Sequence, residues 1–344
     1  MAGITHLKEF QKPALKGFID ESMKAPFDEL SFVESYIGDE TTYNTTFAYD
    51  IIKRSQHIAA MIGLGAEKPV VDRHATASVM GELAHFGLKD VVTIEELYAI
   101  AQARSNGEKS AMIEKLLNKS ADLVFALRLR IRIEKLKALA LGYNEYDKNG
   151  VKVKLDYGIP AEQKIALTSG ADWAVKDRDV IGDLLGWVEV YRKANGKKPE
   201  AMLLTRKVLN QLTDNKTIIA EARPMTPGAT RVSLAEVNEV LGRYGLPTLV
   251  LVEETSIEVK DIYSGENEVI EVFPENRVIF ASKGAGKFLT GPNPDADNFA
   301  PVATLEAYDE RTPKRSIIEV AQSGFAILEN PTLVLHADVI APTV

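Results

Sequence analysis

Three sets of residues in this chain have types that do chemistry, and their spacing decides what that chemistry would be. Ser282-Lys283-Gly284-Ala285-Gly286-Lys287-Phe288 looks like a loop that cradles phosphate. Such a loop needs a glycine, four residues, then Gly-Lys-Ser/Thr at the start of a helix. The spacing fails, Phe288 stands at the hydroxyl position, and no helical pattern follows. A flexible surface loop, with Lys283 and Lys287 facing solvent or an acidic neighbour, is the better reading. The aspartates Asp172, Asp177, Asp179 and Asp183 could suggest paired carboxylates or a cation site. They do not share one helical stripe, and acidic residues near a helix start are expected from the helix dipole. The histidines are His6, His57, His74, His85 and His336. None makes an i,i+4 metal pair; His74 and His85 share a segment without an obvious third ligand. They read as solvated or interface histidines that titrate near neutral pH. Neither a Gly-x-Ser-x-Gly elbow nor a dinucleotide fingerprint occurs. No catalytic, cofactor or metal residue is therefore assigned.

Composition narrows the class further. The chain has 344 residues, 45% of them hydrophobic and 26% charged, with no cysteine and a net charge of −8. That is enough chain for two or three domains around a sizeable core. Without cysteine there is no disulfide framework, thiolate zinc site or thiol nucleophile. No run reaches the length of a membrane span, and the first residues lack the layout of a secretory signal. The acidic balance argues against a dedicated nucleic-acid binder. An acidic inner wall would still let a polyanion slide past it.

The elements that position these residues follow from local pattern. Residues 1–40 carry short apolar groups, Phe18-Ile19 and Phe27, Leu30, Phe32, Val33, broken by Pro13, Gly17 and Pro26. They read as an arm that must bury its aromatics on the body of its own chain or on a neighbour. Residues 41–92 are strand-like, rich in Thr, Tyr and Phe around Phe47 and Tyr49, and are interrupted at Gly63-Leu64-Gly65. With a return through Val70, Val71 and Arg73, they suggest a long two-stranded excursion. Such a pair is marginal alone in water. Thr93 and Glu96 make a capping box, and the helical pattern pauses at Ser105-Asn106-Gly107. It resumes from 108 to 141, roughly 50 Å of helix, with Gly142 as terminator. Leu127-Arg-Leu-Arg-Ile-Arg-Ile133 alternates with period two like a strand. Helix is preferred there for the propensity of Leu and Arg and for the Arg130–Glu134 spacing. Asn149-Gly150 predicts a hairpin turn, with Val151, Val153, Leu155 and Tyr157 on one face of its second strand.

From 170 to about 300 the pattern is α/β. A helix capped by Ser169 or Asp172 carries Trp173, Val180, Ile181, Leu184, Leu185, Val188 and Tyr191 and ends at Asn195-Gly196. Strands are expected at 201–205, 249–252, 268–273 and 277–281, and helices at 208–212 and from Ser233, with Glu236 at its third position. The tail reads as strands at 316–321, 325–328 and 332–340.

The stretch Ser169-Gly170-x-x-Trp173-x-x-x-Asp177 contains the sharpest motif. With Phe32-Val-Glu-Ser-Tyr36 followed by Thr41-Thr42, the long helix and hairpin from Leu123 to Tyr157, and the closing strands from Arg315 to Ile340, it resembles the major capsid proteins of tailed bacteriophages. The likeness is to the lambda-type group known as major capsid protein E. The resemblance implies an α+β, HK97-like fold. Residues 1–40 would be the N-terminal arm and 41–92 the extended loop. Residues 93–168 would form a peripheral domain with its spine helix and hairpin, and 169–302 an α/β axial domain. Residues 303–344 would be terminal strands returning to the peripheral domain.

It further implies a structural protein that assembles with itself into pentamers and hexamers of an icosahedral head. That head would enclose double-stranded DNA without binding it specifically. The expected partners are a scaffold, a portal and decoration proteins, with no cofactor and no membrane. The expected location is the virion, after assembly in the host cytoplasm. Assembly contacts are expected at Phe18, Phe27, Phe32, Tyr36, Phe47, Tyr49 and Arg73, and deletion of 1–40 is expected to leave a soluble subunit deficient in assembly. Two other readings stand beside this one. One is an encapsulin-like compartment shell; the other is a cytosolic α/β enzyme holding a phosphorylated small molecule at Lys283 and Lys287.

Overall fold

The computed structural model describes residues 3–25, 31–51, 77–148, 151–225, 228–261 and 265–341. In chain order its elements are α1 (Lys12–Lys24), β1 (Ile37–Thr41), β2 (Thr46–Ile51), β3 (Ala77–Glu82), β4 (Ala84–Val92), α2 (Ile94–Ala101) and α3 (Asn106–Ala140). Then come β5 (Tyr143–Lys148), β6 (Val151–Asp156), β7 (Lys164–Ala166), α4 (Val180–Asn195), β8 (Ala201–Thr205), α5 (Arg206–Thr213), α6 (Lys216–Ala222) and α7 (Leu234–Arg243). The remainder is strand: β9 (Thr248–Val252), β10 (Ser256–Lys260), β11 (Asn267–Glu271), β12 (Arg277–Ala281), β13 (Gly286–Gly291), β14 (Thr304–Glu310), β15 (Arg315–Ile327) and β16 (Val334–Asp338).

Local chemistry sets most helix ends. Thr93 and Glu96 form a reciprocal capping box at α2, and Ser233 and Glu236 form another at α7. Ser105 caps α3 by accepting from Glu108 N. Gly142 and Gly196 take the left-handed conformation that closes α3 and α4. Helix α4 starts at Val180, later than the sequence pattern suggests. Asp179, not Ser169 or Asp172, accepts from Gly182 N, and Trp173 lies in the turns that precede the helix. The reason is tertiary: Trp173 N–H donates to Val339 O at 2.9 Å and Asp172 accepts from Ala341 N. Those groups are committed to the end of the chain.

Two sheets make the body. In the first, β15 is the central strand. It pairs antiparallel with β4 along one edge, and with β14 and then β13 along the other, while β1 adds parallel to β13. The two tail strands expected at 316–321 and 325–328 are thus one continuous strand. The second sheet runs β7-β16-β12-β8-β9, its outer pairs parallel and its inner pairs antiparallel. The last strand, β16, therefore joins the sheet of β8, β9 and β12, and of the strands after residue 303 β14 and β15 lie in the sheet of β4.

Helix α3 lies against β15, β4 and β13, and at 1.5 Å per residue is about 52 Å long. Its last ten residues, 131–140, are buried nearly all round. Ile131, Ile133, Leu136 and Ala138–Ala140 are buried alongside Arg132, Glu134 and Lys135. This explains the period-two pattern of 127–133, since a helix buried all round need not show a 3.6-residue stripe. The charges are met locally. Arg132 pairs with Glu34 at 2.6 Å and Lys135 with Asp39 at 2.7 Å. Glu134 takes Arg130 at 2.8 Å and is also bonded by Asn144 Nδ2.

Of the two covers expected for the arm, its described residues take the first, the body of their own chain. Ile4, Leu7, Phe10, Leu15 and Ile19 are buried in the core of their own chain, and α1 packs on β14 and α3. Lys12 pairs with Asp297 and Glu306, and Ile4 N–H donates to Ser316 Oγ. Gly17 and Pro13 do not break the segment, because Pro13 stands in the first turn, where its missing N–H costs nothing. Five buried apolar side chains, at roughly 1.5–3 kcal/mol each, are together comparable with the usual stability of a whole domain, about 5–15 kcal/mol. Removing residues 1–24 should thus strip cover from the core. The truncated chain is expected to aggregate, or to unfold at much lower denaturant than the whole chain, in an equilibrium unfolding measurement.

Strands β13 and β15 also approach closely. A Cβ on Gly324 would lie 2.5 Å from the Phe288 ring and 2.7 Å from Leu289 O. Gly324→Ala should cost about 1–3 kcal/mol through overpacking. Gly17→Ala, in a helix with open space around it, should be neutral or stabilising by up to about 1 kcal/mol. Thermal unfolding of the two variants is expected to separate them in sign.

Candidate functional site

The groups that might do chemistry are each committed to structure. Ser282 is buried, its Oγ 2.7 Å from the hydroxyl of Tyr191. Burial pushes that phenol up to about 12. Gly284 makes the turn at φ 76°, and Gly286-Lys287-Phe288 form the start of β13, not a flexible loop. Phe288 is buried, and Lys287 Nζ sits 2.6 Å from Glu40 and 3.0 Å from Glu329. A strand follows the turn, so there is no helix N-terminus for a phosphate, and the enzyme reading loses its anchor.

The aspartates are dispersed. Asp183 accepts from Arg178 at 2.6 and 2.9 Å and from Trp173 Nε1 at 3.1 Å; Asp177 pairs with Lys216 at 2.8 Å. Among the described residues no three His, Asp or Glu side chains converge to hold a metal, and no helix is long and apolar enough to cross a membrane. His57 and His74 lie outside the described residues. His85 bonds Ser323 at 3.0 Å and sits 3.3 Å from Asp295.

His336, read from sequence as solvated or at an interface, is instead buried where α3 ends. Its Nε2–H donates to Leu139 O at 2.8 Å, and Arg277 Nη1 donates to Ala140 O at 2.9 Å while lying 3.4 Å from His336 Nδ1. Arg277 also forks onto Asp338 at 2.7 and 3.0 Å. Strands β12 and β16 put these three side chains together, Arg277 opposite Asp338 and Ile279 opposite His336. Burial first, and the Arg277 charge second, lower the His336 pKa to about 3. The ring is neutral and serves as a donor to the helix C-terminus.

The motif Ser169, Gly170, Trp173, Asp177 is a crossing point of the chain. Gly170 turns at φ 81°, a conformation that suits glycine. Trp173 is buried and stacks on Trp187 at 5.6 Å with 15° between planes, while Trp187 meets Phe280 edge-on at 6.4 Å. Asn215 Nδ2 donates to Arg178 O at 2.9 Å, fastening α6 to the same turn. Ser169 and Asp177 are exposed around this buried pair. The motif joins α4, α6 and the exit of β16, so Trp173 and the Trp187 it stacks on are architectural.

The residues expected to make assembly contacts fall into three groups. Phe27 and Arg73 lie outside the described residues. Phe47 and Tyr49 stand on β2, which pairs only with β3 among the described residues. Phe18 and Phe32 are half-buried on the core of their own chain, and Tyr36 is buried there. The Tyr36 ring is thus already covered without a neighbour.

Sequence reasoning misses Phe299. It is 66% exposed at the tip of a loop, beside a cleft of about 450 Å³ bounded by α1, α3 and β13. The signal for it is the turn-rich run Pro292-Asn-Pro-Asp-Ala-Asp-Asn298 ending on an aromatic.

Comparison with known proteins gives a consistent result. A family model described as phage major capsid protein E matches residues 24–316. Three solved structures share the fold. A phage-related protein from Bordetella bronchiseptica RB50 has TM-score 0.54 at 13% identity, covering 95% of this chain and 98% of that one. A putative prophage capsid protein from Escherichia coli CFT073 has TM-score 0.58 at 12% identity, covering 96% and 99%. The satellite phage P4 procapsid, whose structure includes a size determination protein, has TM-score 0.50 at 10% identity, covering 98% and 95%. No curated protein sequence matches.

The buried imidazole makes a pH prediction. Its folded pKa is lowered, so the neutral ring stabilises the fold fully above the ordinary value near 6.5, and that contribution is lost as pH falls toward 3. Each unit within that window costs up to about 1.4 kcal/mol. His336→Gln, which keeps a donor but does not titrate, should show a shallower loss of stability than wild type between pH 6 and pH 4. Denaturant midpoints at both pH values check this.

Proposed function

We infer the role of this protein from one premise: the chain belongs to the phage major capsid protein E family. It is a structural, non-enzymatic component of a phage capsid shell, with the HK97-like fold, and it assembles with copies of itself into the virion capsid. The finer reading is that copies form the pentamers and hexamers of an icosahedral head around double-stranded DNA. In it, a scaffold and a portal are partners during assembly in the host cytoplasm, and decoration proteins are a further class. The −8 charge supports enclosure of DNA without a specific grip on it.

The observation that carries the reading is the family match across most of the chain. Within it, α3 is the spine, and β2 with β3 the stem of an extended loop. The sheet β7-β16-β12-β8-β9 with α4–α7 is the axial unit, which then includes β16. The β2–β3 pair, which has no third strand among the described residues, supports assembly for a physical reason: two strands alone are marginal in water, and a neighbouring subunit supplies further cover. The buried apolar residues of the arm, Ile4 to Ile19, give no such support, being covered by their own chain.

Many modest contacts suffice for a shell, since each 1.4 kcal/mol is tenfold in an association constant and multiplicity compounds them. Overexpressed, purified protein should yield closed particles of uniform diameter by electron microscopy. A chain that sediments as a monomer at every concentration and ionic strength would overturn the reading.

A further inference from the structure

The chain sorts surface charge to the two ends of its second sheet. Residues 253–275 hold eight carboxylates and one cation, Lys260, so they carry −7 of the net −8 and leave the rest nearly neutral. They run from the exit of β9 through β10 and β11 to the start of β12. Arg206 meets Glu253 and Lys207 meets Glu275, which leaves a surplus of five negative charges on this segment. The register sets Glu258 opposite Val269, Ser256 opposite Glu271 and Lys260 opposite Asn267. All six of these residues are exposed, while Ile257 and Ile270 on the other face pack on the core. The outer face of the pair thus has Val269, 63% exposed, at its centre and carboxylates around it. Like charges gathered on a small sheet repel one another, and the single subunit gains no burial from Val269 in return.

The opposite sign lies at the far end of the same strands. Ala201 of β8 stands beside Thr248 of β9 and opposite Ala281 of β12, and Thr205 stands beside Val252. The acidic segment leaves from Val252. Just before Ala201, residues 192–198 hold Arg192, Lys193, Lys197 and Lys198 and no carboxylate, and Lys283 follows Ala281 closely. All five cations are exposed. Glu189 meets Arg192 at 2.8 Å and Glu200 meets Lys197 at 3.5 Å. Lys198 Nζ donates to the neutral Gly245 O at 3.0 Å. Even with Lys287 and its two carboxylates, Glu40 and Glu329, counted in, this end stays positive. Five residues of strand, roughly 16 Å, separate the two surpluses. That exceeds the Debye length of about 8 Å in physiological salt, so one subunit does not neutralise itself.

We propose that the outer face of the β10–β11 pair of one subunit docks on the end of the second sheet formed by residues 192–198 and Lys283 in a second copy. This rests on the self-assembly reading and names one interface within it. Charge complementarity selects the occupant: a polyanion is repelled by the acidic face, whereas each further copy brings both the acidic face and the basic end that matches it. Because the two surfaces differ and lie at opposite ends, the contact is head-to-tail, the kind that closes into rings when its rotation allows.

Charge reversal followed by rescue tests the contact. Glu258→Lys with Glu271→Lys, or Lys193→Glu with Lys283→Glu, should each lower particle yield at equal protein concentration about tenfold or more. The chain carrying all four substitutions restores opposite signs across the contact and should recover most of the wild-type yield. Thermal unfolding of the isolated variants should match wild type, since these side chains are exposed. Disulfide trapping decides independently of the reversals, because the chain contains no cysteine. Subunits carrying only Val269→Cys, mixed with subunits carrying only Lys193→Cys, Lys198→Cys or Lys283→Cys, should give a disulfide-linked mixed dimer on assembly and oxidation with at least one of the three. Normal yield from either reversal, no recovery in the fourfold variant, or particles without a mixed dimer from any of the three mixtures would each overturn the proposal. Wild-type chains that never polymerise would sink the shell reading and this contact with it, whereas wild-type shells beside unaffected variants would sink the contact alone.

Discussion

A helix can run through the middle of a protein only if every polar group it carries inside is met there. The second half of α3 imposes that demand. It brings Arg132, Glu134 and Lys135 into the interior and ends with carbonyls facing protein instead of water. Unpaired, such groups would cost several kcal/mol each. The segment around β1 supplies Glu34 and Asp39, the first hairpin supplies Asn144, and the second sheet supplies Arg277 and His336. The helix is thus the member to which the arm junction, the hairpin and both sheets are bonded.

That arrangement separates what the subunit satisfies alone from what it leaves over. The arm, α3 and both large sheets are internally covered, with buried side chains from Ile4 to Val339 in one contiguous core. The remainder lies at the periphery: the β2–β3 pair, which has no third strand among the described residues, the β10–β11 pair, whose strands alternate between exposed and half-buried residues, and the strained tip at Phe299. A shell subunit needs this division. A rigid body that folds by itself can be placed repeatedly, and contacts at its margins can be individually weak and still sum to a closed particle.

Much of the fold was legible from short-range chemistry. The capping boxes at Thr93 and Ser233, the glycine terminators at 142 and 196 and the buried runs 201–205 and 249–252 depend on residues within a turn of one another. The structure repeats them nearly residue for residue. The resemblance carried by Ser169, Gly170, Trp173 and Asp177 pointed to the family, although those residues proved to be a packing junction. Less legible were α1, which looks broken by Gly17 and Pro13, and β13, whose first residues imitate a phosphate loop.

The sequence by itself determined where helices begin and stop and which runs are apolar enough to be interior, because caps, turns and periodicity act over a few bonds. Only the tertiary structure decided that Trp173 precedes α4, that His336 is a neutral donor to a helix end, that the arm is core and that Phe299 is held outward. Each of those outcomes hangs on partners far away in the chain, such as Val339 for Trp173, Leu139 for His336, Ser316 for Ile4 and Ala321 for Asn293 in the loop that carries Phe299. A hydrogen bond or a packed ring closed over that distance leaves no mark on neighbouring residues, so only the folded chain reveals it.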